Sequence, residues 1–330
     1  MSSLAITPAD ILRFARDRAD TGVVLVTLVG IAGSSPRTIG AQMAVAADGS
    51  YRGSFSGGCI EAAITGEAQS VLAAGKGRLV RFGAGSPYID IRLPCGGGID
   101  LLFTPSPDPQ ALAELLRRLD ARDVAAMRVA DGGIAAIDAG ATTPGWSGDA
   151  FSVLYVPRVR ILAMGHGDAL VATARLAQYY GAETQAFSPL PEDVTALSAQ
   201  GIAATRLQSR SAPPAFASDP WTAFAFLFHD HEWEEMLLPW ALRAPHLFVG
   251  AIGGLHSRAQ RRDMLRRAGF DDAVLQRFEG PVGLIPATRD PATLALSVVA
   301  EIIARYQEAH LQTDGGEARA KLTEALGSWN

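Results

Sequence analysis

Short apolar runs alternate with polar, glycine-rich turns along the chain, and the pattern changes character near its middle. Ile6–Ala19 carries its apolar residues at helical spacing, with Thr7 placed to cap the helix before Pro8. Val23–Val29 (VVLVTLV) is a continuous β-rich run, followed by a turn-rich loop, Gly30–Gly40 (GIAGSSPRTIG). Ala41–Ala46 and Tyr51–Phe55 predict strands joined at Asp48-Gly49, a hairpin signal. Cys59–Ala74 has Ile60, Ile64, Val71 and Leu72 at helical spacing, with Gly75 as its stop. Leu79–Phe82, Ile89–Leu93 and Ile99–Phe103 add short strands. After the break at Ser106–Pro109 come a helix over Ala111–Leu119 and strands over Val124–Val129, Ile134–Ile137 and Phe151–Val156.

From Pro157 the runs become longer and more uniformly apolar. Val159–Met164, Glu183–Phe187, Trp221–Phe228 and Leu247–Ile252 predict strands, and Ala169–Tyr180, Glu232–Arg243, His256–Ala268 and Pro291–His310 predict helices. Continuously apolar strands alternating with helices predict a parallel sheet covered on both faces. The expected fold class is therefore α/β. An N-terminal α+β domain over residues 1–157 has short strands and Gly-rich loops. A parallel α/β domain spans 158–310, and a polar tail 311–330.

Composition narrows the function. The chain has 330 residues, of which 48% are hydrophobic and 19% charged, which is ample for packed cores. Lys and Arg total 29 and Asp and Glu 34, giving 29 − 34 = −5. A mildly acidic surface excludes nucleic-acid binding by bulk charge. No apolar run approaches the ~20 residues of a membrane span, and the N-terminus lacks a signal-peptide pattern. The expectation is a soluble, cytoplasmic protein with no membrane partner. The two cysteines, Cys59 and Cys95, exclude a disulfide scaffold and a four-cysteine zinc site.

Both cysteines sit in glycine runs. In Gly53–Glu61 (GSFSGGCIE), Cys59 opens a helix, where the dipole favours a thiolate able to act as nucleophile, persulfide carrier or soft metal ligand. A small residue buried at a tight turn is the alternative. Pro94–Gly98 (PCGGG) packs three glycines beside Cys95. Gly33–Gly40 offers Ser34, Ser35 and Arg37, suited to phosphate or carboxylate but equally to a solvated turn. In Val159–Leu170 (VRILAMGHGDAL), Gly165 and Gly167 lie between a strand and a helix, an arrangement that cradles anions. The acidic residue that would hold an adenosine ribose is replaced by Ser188-Pro189. His229-Asp230-His231 stands at the end of an apolar strand, as a ligand contact, a metal pair or a helix cap. Arg258, Arg261, Arg262, Arg266 and Arg267 share one helix, either a solvated face or a basic surface for an anion.

Gly33–Arg37 (GSSPR), GSFSGGCIE and PCGGG together resemble the XdhC/CoxI family, the xanthine dehydrogenase accessory factors. The second half resembles that family's C-terminal Rossmann-like domain through Gly165–Gly167, Phe228–Asp230, Val249–Gly253 (VGAIG) and Gly280–Glu301. The resemblance runs from about Ile6 to Ala309. Departures from the family pattern fall at Gly165–Asp168, Ser188-Pro189, Gly253–His256 and Gly283–Ala287. The resemblance implies an accessory protein rather than a turnover enzyme, with no catalytic residues. Its cargo would be the molybdenum cofactor, as molybdopterin or its cytosine dinucleotide form. It would protect that cargo around sulfuration and hand it to a client molybdenum hydroxylase, with a cysteine desulfurase as sulfur source; a homodimer is expected. Candidate cofactor-binding residues are Ser34, Ser35, Arg37, Ser56, Gly57, Gly58, Cys59, Glu61, Cys95, Gly96 and Gly97, with Gly165, Gly167, His229 and Asp230 in the second domain. Glycine-rich N–H groups and Arg37 would hold the pterin phosphate, and Cys59 would lie nearest the molybdenum. The competing readings are an NAD(P)-dependent oxidoreductase and an assembly scaffold that binds no cofactor.

Overall fold

The computed structural model describes residues 6–58, 60–86, 96–229, 231–278 and 282–313. Cys59, Cys95, Asp230, the strand expected at Ile89–Leu93 and the tail beyond Thr313 lie outside the described residues. The described chain falls into two compact units, Ile6–Pro157 and Arg158–His310. Among the described residues, no helix is long and apolar enough to cross a membrane.

The N-terminal unit begins with α1 (Pro8–Arg16). Thr7 Oγ1 accepts the Asp10 N–H at 3.3 Å, and the Asp10 carboxylate accepts the Thr7 N–H at 2.8 Å, a reciprocal cap. The helix ends short of Ala19 because Ala19–Thr21 tighten into a 3-10 turn. Next come β1 (Val23–Ala32), β2 (Gln42–Ala46), β3 (Tyr51–Gly53), α2 (Glu61–Ala74), β4 (Arg78–Gly83) and β5 (Gly98–Pro105). The strands form one antiparallel sheet in the order β3-β2-β1-β5-β4. After α3 (Pro109–Asp120), strands β6 (Ala125–Ala130), β7 (Gly133–Ile137), β8 (Gly145–Ser147) and β9 (Ala150–Tyr155) form a second antiparallel sheet, β7-β6-β9-β8.

The uninterrupted apolar run of β1 follows from its central place. Val23 and Leu25 pack in a core with α1, α3 and the second sheet, while Val24, Val26 and Leu28 pack in a core with α2. Both faces are covered, so the alternation usual in antiparallel strands disappears. Where a polar side chain enters this interior it is paired. The buried Tyr155 hydroxyl donates to Gln42 Oε1 at 2.7 Å, and Gln42 Nε2 donates to Thr27 Oγ1 at 3.0 Å, tying β9 to β1 and β2. Burial pushes the Tyr155 hydroxyl well above its ordinary pKa, so it stays a donor.

The C-terminal unit is the parallel α/β domain expected. Strands β10 (Arg160–Gly165), β11 (Glu183–Ser188), β12 (Ala203–Arg206), β13 (Thr222–Leu227) and β14 (Phe248–Ala251) lie in the order β12-β11-β10-β13-β14, all parallel. The helices are α4 (Gly167–Tyr180), α5 (Pro191–Ser198), α6 (Glu234–Arg243), α7 (Leu255–Arg267), α8 (Asp272–Arg277) and α9 (Pro291–Thr313). Ile161 and Ala163 face one core and Leu162 and Met164 the other. Strand order reverses between β10 and β13, so the carboxyl ends of these two strands flank the sheet's switch point. The pattern of apolar positions does not predict α5, β12, β8 or α8. β12 is an edge strand with the sequence AATR and mostly exposed side chains, so no apolar run marks it.

Tyr155→Phe is expected to cost about 1–3 kcal/mol, because it leaves Gln42 Oε1 buried without its donor. Urea unfolding checks this. An unchanged midpoint would show that the Tyr155–Gln42–Thr27 chain contributes nothing to stability.

Candidate functional site

Pairing in the first sheet brings the Gly-rich segments to one edge. Ala32 at the end of β1 pairs with Gly98 at the start of β5, and Gly98 pairs with Gly83 at the end of β4. β2 begins and β3 ends on the same side, since Thr27 pairs with Gln42 and Met43 with Gly53. The 33–41 loop, the 54–60 loop and residues 96–97 therefore leave the sheet together. Their anchors Ile31, Ala41, Phe55, Ile60 and Ile99 share one core. Two loops touch directly. A Cβ on Gly97 would collide with the Ser34 carbonyl and lie 2.9 Å from the Ala32 carbonyl, so only glycine fits there.

The 54–60 loop is organised by Glu61. This carboxylate is 2% exposed. Its Oε1 accepts the Ser54 hydroxyl at 2.7 Å and the N–H groups of Phe55 and Ser56 at 3.0 and 2.9 Å. Its Oε2 accepts the Ser56 hydroxyl and the Gly58 N–H, both at 2.8 Å, and the Ile60 N–H at 3.2 Å. The remaining Gly57 N–H donates to Ser54 Oγ at 3.0 Å. Burial alone would raise the Glu61 pKa, but the Ser54 hydroxyl and the Ser56 N–H and hydroxyl outweigh it and hold it at about 2.

This geometry corrects the expected role of the loop. The N–H groups of Phe55, Ser56, Gly58 and Ile60 do not present an open cradle to an outside anion; they serve Glu61, and that of Gly57 serves Ser54. Ser56 and Glu61 are likewise turned inward and fix the loop's shape. Gly57 and Gly58 adopt φ of 75° and 125°, and a Cβ on either would meet nothing within 4 Å. Their requirement is the turn itself, and among the described residues nothing covers their outer faces. Residue 59 lies between Gly58 and Ile60, whose N–H groups bond to the same carboxylate oxygen.

Across the edge, Ser34 is exposed, Ser35 is half-buried, and the Arg37 N–H donates to Ser35 Oγ at 3.2 Å. Arg37 is exposed, and none of the described residues pairs with its guanidinium. Arg81 differs: its Nε and Nη2 bond both oxygens of Asp100, at 2.7 and 2.6 Å. Ile39 stands 46% exposed two residues beyond Arg37. Gly96 is exposed and Gly97 buried.

In the second unit, Gly165 ends β10 and is pressed against Leu227. His166 brings its ring within 5.8 Å of His229 and 6.0 Å of Phe228, so the β10 and β13 ends meet at the switch point. The pattern His229-x-His231 does not converge on a metal. His231 Nδ1 lies 2.8 Å from Glu234 Oε2, and buried Arg261 binds Glu234 through two 2.7 Å bonds. No group of three metal-binding side chains forms among the described residues. Of the five arginines of α7, Arg261 is buried against Glu234 and Arg266 pairs with Asp263 and Asp272, which leaves Arg258, Arg262 and Arg267 for either a solvated face or a basic surface. Sequence reasoning missed Ser54 and Asp193. Asp193 Oδ2 accepts the Gly167 N–H at 2.9 Å and the Ser188 hydroxyl at 2.7 Å. The only sequence signal for Asp193 is its place in the first turn of a helix starting at Pro191.

The sequence profile of the XdhC and CoxI family matches residues 17–83, and that of the XdhC Rossmann domain matches residues 161–302. The chain belongs to this family. It is 36% identical over 295 residues to the "Molybdenum cofactor insertion chaperone PaoD" of Escherichia coli (strain K12), covering 88% of this chain and 86% of that protein. Its fold is similar to the crystal structure of a protein described as a xanthine dehydrogenase from Bacillus halodurans. That match has a TM-score of 0.73 and 21% identity over 92% of this chain and 96% of the other.

Glu61→Gln is expected to lower stability by about 3 kcal/mol, since an amide nitrogen would face buried donors. The folded carboxyl has a lowered pKa, so its contribution is full above about 4.3 and is lost as pH falls towards about 2. The stability difference between wild type and Glu61→Gln should stay flat from neutral pH to about 5 and shrink below that. A difference that grows on acidification would contradict the assignment.

Proposed function

We propose that this chain is a chaperone that binds the molybdenum cofactor, shields it around its sulfuration and delivers it to a client molybdenum hydroxylase such as xanthine dehydrogenase or aldehyde oxidoreductase. The observation that carries the reading is the meeting of three Gly-rich segments on one sheet edge with Arg37, whose guanidinium pairs with none of the described residues. Family membership supports it independently. The cargo, in molybdopterin or cytosine dinucleotide form, carries phosphate, and a free guanidinium on a short loop is the group suited to it. The exposed side chain of Ile39 and the bare faces of Gly57 and Gly58 offer a surface for a flat ring system. Cys59, whose neighbours Gly58 and Ile60 are fixed through Glu61, is the soft-ligand residue of this stretch of sequence and would lie nearest the metal or carry sulfur to it.

No turnover is required of such a site. It would hold the cargo on the N-terminal unit, exclude water and release on docking. A cysteine desulfurase as sulfur donor, a homodimer and a cytoplasmic location complete the proposal. Two further readings stay distinct from it. An NAD(P)-dependent oxidoreductase would need a nucleotide site in the second unit, and a scaffold would carry neither nucleotide nor metal.

Molybdenum and pterin content of the protein, purified anaerobically from a host that makes the cofactor, tests the proposal. Near-stoichiometric content is expected for wild type. Arg37→Ala should weaken retention about tenfold or more, as loss of a charge-assisted bond of ~1.5–3 kcal/mol implies. Cys59→Ala should fold normally and lose stable retention. Wild-type protein free of both molybdenum and pterin would overturn the proposal, and full retention by Cys59→Ala would overturn the role of that thiol.

A further inference from the structure

A doubly wound parallel sheet with a G-x-G turn after its first strand implies a dinucleotide, whose pyrophosphate sits on the N-terminus of the following helix. The chain has each backbone element of that site. β10 is the first strand, Gly165-His166-Gly167 is the turn, and α4 is a helix of 14 residues. The side chains do not fit the ligand.

The Gly167 N–H, the first donor of α4, is bonded at 2.9 Å to Asp193 Oδ2, and Asp193 is 7% exposed. The same oxygen takes the Ser188 hydroxyl at 2.7 Å, and Ser188 Oγ accepts the Leu190 N–H at 3.1 Å. A second carboxylate, Asp168, stands in the first turn of α4. A pyrophosphate entering here would meet two carboxylates and would find the Gly167 donor already engaged. The carboxyl end of β11 is no better suited to the ribose, because Ser188 faces Asp193 and Pro189 follows it. Arg206 alone points the other way. Its Nε lies 3.4 Å from the Pro189 carbonyl, beside the strand end where a 2′-phosphate would be bound. NADPH is therefore the more demanding probe.

We propose that the glycine turn of the C-terminal unit is a closed site, in which the buried carboxylate of Asp193 occupies the place of a dinucleotide phosphate, and that the unit binds neither NAD(H) nor NADP(H). The Asp193–Gly167 bond locks the β10–α4 turn to α5, giving the unit a fixed platform in place of a nucleotide pocket. This inference does not depend on the cargo reading, since it concerns a different unit and a different ligand.

The test is titration of full-length protein with NADH and with NADPH, followed by nucleotide fluorescence, for wild type, Asp193→Gly and Asp193→Asn. Wild type is expected to show no saturable binding below about 1 mM. Asp193→Gly frees the Gly167 N–H and removes the charge, and should bind NADPH at least about tenfold more tightly than wild type. Asp193→Asn keeps an oxygen for the Gly167 N–H and removes only the charge, so a smaller gain is expected. Saturable wild-type binding of either nucleotide below about 1 mM overturns the proposal. So does a folded Asp193→Gly protein with no gain. If Asp193→Gly fails to fold, Asp193→Asn decides, and equality with wild type overturns it.

Discussion

The candidate site depends on a single buried carboxylate. Glu61 gathers three hydroxyl or N–H donors on each of its oxygens and thereby dictates the path of residues 54–60. Without an internal anion, the inward-pointing N–H groups of this loop would be stranded, at about 1–3 kcal/mol for each buried unsatisfied group. With it, the loop is shaped before any ligand arrives. That is preorganisation, which lowers the ordering cost of binding. The glycines then matter for what they permit outside: φ values open only to glycine, and bare faces turned away from Glu61.

A free guanidinium acquires meaning in this setting. The amides of residues 55–58 and 60 are occupied internally, and Arg81 is held by Asp100. Arg37, which no described residue pairs, is the cation we propose meets an anionic group at this edge, on a loop stiffened by Pro36 and by the Arg37–Ser35 bond. The second unit handles its glycine turn alike, with Asp193 serving Gly167 as Glu61 serves Gly58. In both units a strand-to-helix turn that reads as an anion cradle encloses the protein's own carboxylate. On the proposed reading, anion recognition would fall to side chains rather than to these backbone amides.

Much of this was legible in the sequence. The capping residue Thr7, the Asp48-Gly49 hairpin, the stop at Gly75 and the apolar strands of the second half each follow from local rules, and each is present. The three Gly-rich motifs were recognisable individually, and the family resemblance joined them. The direction in which the loop amides point was not legible. A glycine run shows that a backbone is free to turn, whereas the identity of the acceptor depends on Glu61 folding back over a loop that precedes it. Asp193 was missed for a similar reason: it reaches Gly167 from another helix, 26 residues away in sequence. The five arginines of α7 looked alike in sequence, yet burial separates Arg261 from the others through the long-range partner Glu234.

Anomalous diffraction at the molybdenum edge, from crystals of the anaerobically purified, cofactor-loaded protein, tests the central claim most directly. The account predicts one molybdenum peak at the edge of the first sheet, beside residue 59 and within reach of the Arg37 loop. A peak lodged instead at the β10–α4 turn of the C-terminal unit would contradict it.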